Sequence, residues 1–459
     1  MVTFRSINPV DGSELAAFDE DSAAEVDGKL AAAAAAVRTL RDAGWEGRRA
    51  RMHAAADLLE AEGEEVSRMI TAEMGKPIAQ SRAEVAKSVY TMRFYAERAE
   101  EFLTGRELPD PAVVSASAAR TRFDPLGVVL AVMPWNYPIW QVVRFAAPAL
   151  MAGNAGVLKH ASNVPQAAVY LGALFTRAGF PEGAFSSLLI GASRVEEVIR
   201  DARVAAVTLT GSEAAGRAIA AAAGDVLKKA VLELGGSDAF IVMPSADVTT
   251  AVEIAVKART TNNGQACINA KRFIVHGDVY DEFSALFTDR MAALAIGDPA
   301  SPETELGPLA TRSGLFDIED LVDDAEAKGA RILTGGERVA GAGWFYRPTV
   351  VAELTPEMRL YAEEAFGPVA SLYRVESLDE ALAVANDSEF GLGSAFWSND
   401  AGEIARAESE LQAGAVFVNG MTISYAELPF GGIKRSGYGR ELSREGIREF
   451  CNLKTVWVA

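Results

Sequence analysis

The chain has 459 residues, of which 49% are hydrophobic and 23% charged, and its formal net charge is −19. That is too long for one ordinary core, so about two or three domains of roughly 100–200 residues are expected, and the mixed composition excludes long disorder. The acidity argues against nucleic-acid partners, which need a basic surface, and against attraction to anionic membranes.

The opening stretch MVTFRSINPVDGSELAAFDE has no basic segment followed by an apolar run, so no secretory signal is expected. The segments DGKLAAAAAAVRTLRDAG, EGRRARMHAAADLLEAEGEEVSRMITAEMG and SRAEVAKSVYTMRFYAERAEEFL set apolar residues at helical spacing among good helix formers. The first hundred residues therefore read as helices. AVVSASAARTRF alternates weakly and reads as a strand. From Leu126 the texture changes to short apolar runs (GVVLAVM, AGVLKH, FSSLLIG, VAAVTLTG, KAVLELGG) separated by helices, which predicts a parallel sheet buried on both faces. A second set, AFIVM, RFIVHG, RILTGG, VASLYRV, GSAFWS and AVFVNG, predicts another α/β unit after a break near Glu233–Ser237. The most apolar region, Leu126 to Leu158, is interrupted by Asn136, Gln141, Arg144 and several Pro and Gly, so it does not read as a membrane span.

The two cysteines, Cys267 and Cys451, fit no disulfide framework, and the three histidines form no zinc-type cluster. Reduced thiols, a cytosolic setting and no metal are the expectation. In NNGQACINAKR, two Asn and a Gly ahead of Cys267 are turn chemistry, which can aim a cysteine and its N–H into a cleft. A buried structural thiol is the commoner reading of a lone cysteine. In LELGGSDAF, Glu233 ends an apolar run, where α/β proteins place ligands and a buried carboxylate can act as a base; a solvated glutamate is the bland alternative. VTLTGSEAAG offers a helix start at Gly211–Ser212 suited to phosphate, though any capped βα unit has one. Asn136 sits in PWNYP between two prolines that fix the backbone, and Lys159 ends the run GVLK.

Taken in order, PWNYP, LKHAS, TGSEAAG, LELGGSD, GQACINAKR, EEAFGPV and LPFGGIKRSGYGRE resemble the aldehyde dehydrogenase superfamily over nearly the whole chain. The resemblance implies a Rossmann-like cofactor-binding domain (1–111, 126–232 and 426–444), an α/β catalytic domain (233–425) and a small β oligomerisation element (112–125 and 445–459). It implies Cys267 as nucleophile, Glu233 as the base for water, and Asn136 with the Cys267 N–H as oxyanion donors. Cofactor contacts would fall on Pro134, Trp135, Lys159, Ser162, Gly191, Gly211, Ser212, Leu234, Glu364 and Phe366. Many NAD-using members carry Glu three residues after the lysine. Here Ser162 stands there, which leaves Lys159 free to meet a 2′-phosphate, so NADP is expected to be preferred over NAD.

The C-terminal motifs are most similar to the succinate-semialdehyde dehydrogenase branch, which implies a substrate carboxylate met by Arg144 and Ser424, with Trp140 and Phe430 lining the tunnel. Relatives often have Asp-Pro-Arg where this chain has Tyr425-Ala426-Glu427, and an acidic Glu427 near the mouth would repel an acidic substrate. A broader aliphatic or aromatic aldehyde, and coenzyme-A acylation, stay open, as does a non-enzymatic scaffold. A strand-forming C-terminus needs a partner for its edge, so a homodimer or homotetramer is expected.

Overall fold

The computed structural model describes residues 3–459; Met1 and Val2, which open the segment expected to bind cofactor, lie outside it. The chain does not start with helix. Thr3–Ile7 pairs antiparallel with Glu14–Asp19. The Asn-Pro and Asp-Gly signals between them make the turn, with Gly12 N–H donating to Asn8 O at 2.8 Å and Gly12 at φ +77°. Four helices follow as expected: Ala23–Asp42, Gly44–Ala61, Gly63–Met74 and Ile78–Phe102. The first is started by a capping box between Ser22 and Glu25.

The apolar runs after Leu126 form a six-stranded sheet in the order Gly437–Tyr438, Lys229–Glu233, Val204–Thr210, Val128–Met133, Ala155–His160 and Phe185–Ser187. All neighbours are parallel except the short edge strand Gly437–Tyr438. Chain order runs one way from Val128–Met133 to Phe185–Ser187 and the other way to Lys229–Glu233. The reversal opens a crevice at the carboxyl ends of Val128–Met133 and Val204–Thr210, the position where open α/β sheets take ligands. Buried residues of the N-terminal helices join this sheet's core.

The second set forms a seven-stranded sheet ordered Arg331–Thr334, Thr349–Ala352, Val369–Val375, Ala270–His276, Asp238–Val242, Ser394–Trp397 and Val416–Val418. It too is parallel apart from its first strand. Thr349–Ala352 has no counterpart among the expected strands; it is only four residues long, though wholly buried. Ala118–Pro125 pairs with Cys451–Val458 in a separate antiparallel ribbon. The strand expected from Ala112 begins later, because Asp110 caps a 3-10 turn at Pro111–Val114 that ends on Ser115 at φ 54°. Among the described residues, no helix is long and apolar enough to cross a membrane.

One buried ion pair ties the helices to the crevice. Lys76 and Glu84 have no side-chain surface exposed and bond to each other. Glu84 Oε1 also accepts from the N–H groups of Ile139 and Trp140, at 2.8 and 2.9 Å. These are the first amides of helix Trp140–Ala152, which has no side-chain cap of its own and buries all 13 of its residues. Lys76 Nζ lies 3.8 Å from the centre of the Tyr137 ring. On the other side His160 Nε2 donates to Pro138 O at 2.9 Å, while its Nδ1 accepts from Ala161 N–H at 2.9 Å. The PWNYP turn is therefore clamped from both flanks. Glu84→Ala strands a buried ammonium and two helix amides, so thermal or urea unfolding should show a loss of about 3–5 kcal/mol. The double variant Lys76→Met/Glu84→Leu should recover part of it.

Candidate active site

The helix Val248–Thr260 ends and the chain turns through Asn262, Asn263 and Gly264, at φ 60°, 57° and 74°. Three successive left-handed residues are rare, and asparagine and glycine are the types that tolerate them. Side-chain amides pin the turn. Asn263 Nδ2 donates to Gly75 O and Pro308 O, at 2.8 and 2.9 Å, and its Oδ1 accepts from Gly307 N–H at 2.8 Å. Asn262 Nδ2 donates at 2.9 Å to both Asn136 O and Gln265 O. Asn269 Oδ1 accepts from Ala266 N–H at 2.7 Å. Lys271, which sequence reasoning did not single out, donates to Ala266 O, Cys267 O and Glu364 Oε1 at 2.9, 2.7 and 3.0 Å.

These bonds leave Cys267 facing a cavity of about 680 Å³ that it shares with Trp140, Arg144, Ser424 and Phe430. No group among the described residues accepts from the Cys267 N–H. Asn136 is buried; one Nδ2 hydrogen goes to Gln265 O at 2.8 Å, which leaves its second, and its Oδ1 has no partner. Burial pushes the Cys267 thiol up to about 12, against the pull of Lys271 and Arg144 and with Glu364 and Glu233 adding to the rise. The resting group is a neutral thiol.

Glu233 ends its strand at 1% exposure with neither carboxylate oxygen hydrogen-bonded. Burial, and then the nearby Glu441, hold its carboxyl well above the usual range, with Arg144 and Arg440 opposing. A Cβ on Gly431 would lie 2.7 Å from Glu233 Oε1, so the glycine lets the LPFGG loop close over the carboxylate. Arg144 is buried against Glu441, with Nε to Oε2 at 2.5 Å, and its Nη2 donates to Thr210 Oγ1 at 3.1 Å. Its charge is thus already balanced by a carboxylate that the sequence reading did not assign. Glu427 is absent from the cavity wall, and its carboxylate accepts from Tyr90 O–H on the surface.

Several of the residues expected to meet the cofactor sit at or just after the carboxyl ends of strands Val128–Met133, Ala155–His160, Val204–Thr210 and Lys229–Glu233. Pro134 and Trp135 follow Val128–Met133, and Trp135 packs edge-on against Phe366 with centroids 5.7 Å apart. Lys159 is half-buried and makes no ion pair among the described residues, and Ser162, three residues on, is exposed. Ser212 follows Gly211 and caps helix Glu213–Asp225, leaving the amides ahead of Ala215 unbonded by the cap. Leu234 sits under this helix so tightly that a Cβ on Gly216 would meet it at 2.7 Å. Glu364 Oε1 accepts from Gly236 N–H at 3.1 Å, and a Cβ on Gly235 would lie 2.5 Å from its other oxygen. The Gly191 N–H donates to Glu20 Oε1 at 3.1 Å. An unpaired half-buried lysine, an open helix start and two glycines that admit a carboxylate suit a dinucleotide.

Residues 2–456 match the aldehyde dehydrogenase family. The NADP(+) succinate-semialdehyde dehydrogenase of Mycobacterium avium (strain 104) is 57% identical over 454 residues, covering 99% of this chain and 96% of that protein. That of Mycobacterium tuberculosis (strain ATCC 25618 / H37Rv) is 55% identical over 454 residues, with 99% of each covered. Among solved structures, succinic semialdehyde dehydrogenase from Streptococcus pyogenes in complex with NADP+ superposes with a TM-score of 0.96 at 37% identity, over 99% of both chains.

A thiol pushed up to about 12 is the weaker nucleophile at neutral pH, and its thiolate fraction grows about tenfold per pH unit below that value. Alkylation of Cys267 by iodoacetamide without cofactor, followed on its tryptic peptide, should therefore rise steadily from pH 7 to pH 10 without a plateau. A plateau near pH 8 would mean a thiol no more shielded than a free one.

Proposed function

The chain belongs to the aldehyde dehydrogenase family, and on that premise we propose that it oxidises succinate semialdehyde to succinate with NADP as hydride acceptor. The observation that carries the chemistry is the Cys267 turn, which presents a thiol and an unbonded N–H to one cavity with an unpaired buried Glu233 nearby. Glu233, whose raised carboxyl suits proton transfer, takes the thiol proton as Cys267 Sγ attacks the aldehyde carbon. The Cys267 N–H and the free Asn136 Nδ2 hydrogen hold the oxyanion, each donor worth about 3–4 kcal/mol. NADP, when bound, accepts the hydride. The carbon then remains on Cys267 as a thioester. Glu233, having passed the thiol proton to solvent, removes a proton from water as it attacks and returns it to the departing Cys267 sulfur, releasing the acid and the thiol.

For the cofactor, Lys159 without a carboxylate partner and Ser162 in place of an acid support NADP over NAD. Pro134, Trp135 and Phe366 would flank the nicotinamide end, Glu364 its ribose, and Gly211–Ser212 the pyrophosphate. The identities of the relatives support succinate semialdehyde.

We also infer a homodimer or homotetramer in the cytoplasm. Support comes from the Ala118–Pro125/Cys451–Val458 ribbon, which leaves Leu453 and Trp457 59% and 51% exposed, and from two unpaired cysteines. The direct test is a panel of aldehydes with NADP and NAD in parallel, scored by kcat/KM. Succinate semialdehyde with NADP should lead, and Ser162→Glu should shift the cofactor ratio at least tenfold toward NAD. A wild-type preference for NAD, or for an uncharged aldehyde, contradicts the corresponding half of the reading.

A further inference from the structure

The substrate proposed above ends in a carboxylate, so the cavity needs a cation whose charge is not already spent. Three cationic side chains line it: Arg144, Lys257 and Lys87. Arg144 is balanced by Glu441, both side chains being 5% exposed or less. Lys257 is exposed, in the same stretch of wall as the exposed carboxylates Glu253 and Glu305. Lys87, on helix Ile78–Phe102, is half-buried and bonds to no carboxylate among the described residues. Glu84, one turn earlier on the same helix, is committed to Lys76 and to two helix amides.

Lys87 Nζ donates to Ser424 Oγ at 2.7 Å and lies 4.2 Å from the centre of the Trp140 ring. An ammonium has three N–H donors. One goes to Ser424 and one side is covered by the ring face, so a donor remains for the cavity. Burial, with Arg144 adding to it, pushes Lys87 down to about 7, a cost that an incoming anion relieves.

The packing supports the same placement: Lys87 and Cys267 line one cavity, and Trp140, which packs in one cluster with Cys267 and Ile268, carries Lys87 on its ring face.

We infer that Lys87, seated on Ser424 and Trp140, is the group that receives the far carboxylate of the aldehyde, and that it sets selection for ω-carboxylate substrates. Arg144, which lines the same cavity, already has its Nε paired with Glu441 and its Nη2 bonded to Thr210. This rests on the proposed reaction and adds a residue to it.

The test compares kcat/KM for succinate semialdehyde and butanal at saturating NADP in wild type, Lys87→Met, Lys87→Gln and Lys87→Arg. The ratio of the two values should fall roughly 30- to 100-fold in the methionine and glutamine variants, through KM for the acid substrate, and be largely kept in the arginine variant. Two neutral replacements guard against one that folds poorly. An unchanged ratio in both overturns the role of Lys87 while leaving the proposed reaction standing. A wild-type ratio near one instead overturns the succinate-semialdehyde reading, and this inference with it.

Discussion

Everything at the site depends on a backbone that would not hold its shape unaided. Asn262, Asn263 and Gly264 lie consecutively in left-handed conformation, and each non-glycine residue there costs on the order of 1 kcal/mol or more. The cost is met by amide side chains that reach across the turn to Gly75, Gly307, Pro308 and Asn136. Lys271 adds a second restraint by collecting the carbonyls of Ala266 and Cys267. Beside these bonds, the Cys267 N–H has no acceptor among the described residues. A donor fixed in advance costs no reorganisation when negative charge develops beside it.

The same economy explains the electrostatics. Glu233 and Glu441 are buried carboxyls held above the usual carboxylate range by burial, and Arg144, paired with Glu441, opposes the rise in both. Such a cluster is poor for stability, because buried charge is compensated only in part. It leaves a carboxyl held above its usual range by burial in the same site as a thiol that burial also pushes up. The buried Lys76–Glu84 pair performs a different task, since Glu84 supplies the cap that helix Trp140–Ala152 lacks and so holds the PWNYP turn carrying Asn136.

What the sequence disclosed followed from how local each signal is. The parallel strands were legible because burial on both faces leaves continuous apolar runs such as GVVLAVM. Cys267 was legible through its Asn-Asn-Gly turn and through the order of the surrounding motifs. The N-terminal hairpin was hidden by the strongly helical stretch that follows it, and Thr349–Ala352 by its shortness. Partners distant in sequence left no trace: nothing near Arg144 announces Glu441, and nothing in the regular helix around Lys87 announces Ser424 or the Trp140 ring. The bond that Glu427 accepts from Tyr90 is likewise a matter of tertiary packing that its charge alone does not announce.

The central claim is that Cys267 carries the acyl group and Glu233 releases it. The most direct measurement mixes Glu233→Gln with NADP and succinate semialdehyde and maps the protein by peptide mass spectrometry. The account predicts no more than one equivalent of NADPH, formed more slowly than in wild type because the glutamine cannot take the thiol proton, then little further turnover and a succinyl adduct on the peptide containing Cys267. Sustained turnover at the wild-type rate, or an adduct on Cys451 and none on Cys267, would contradict it.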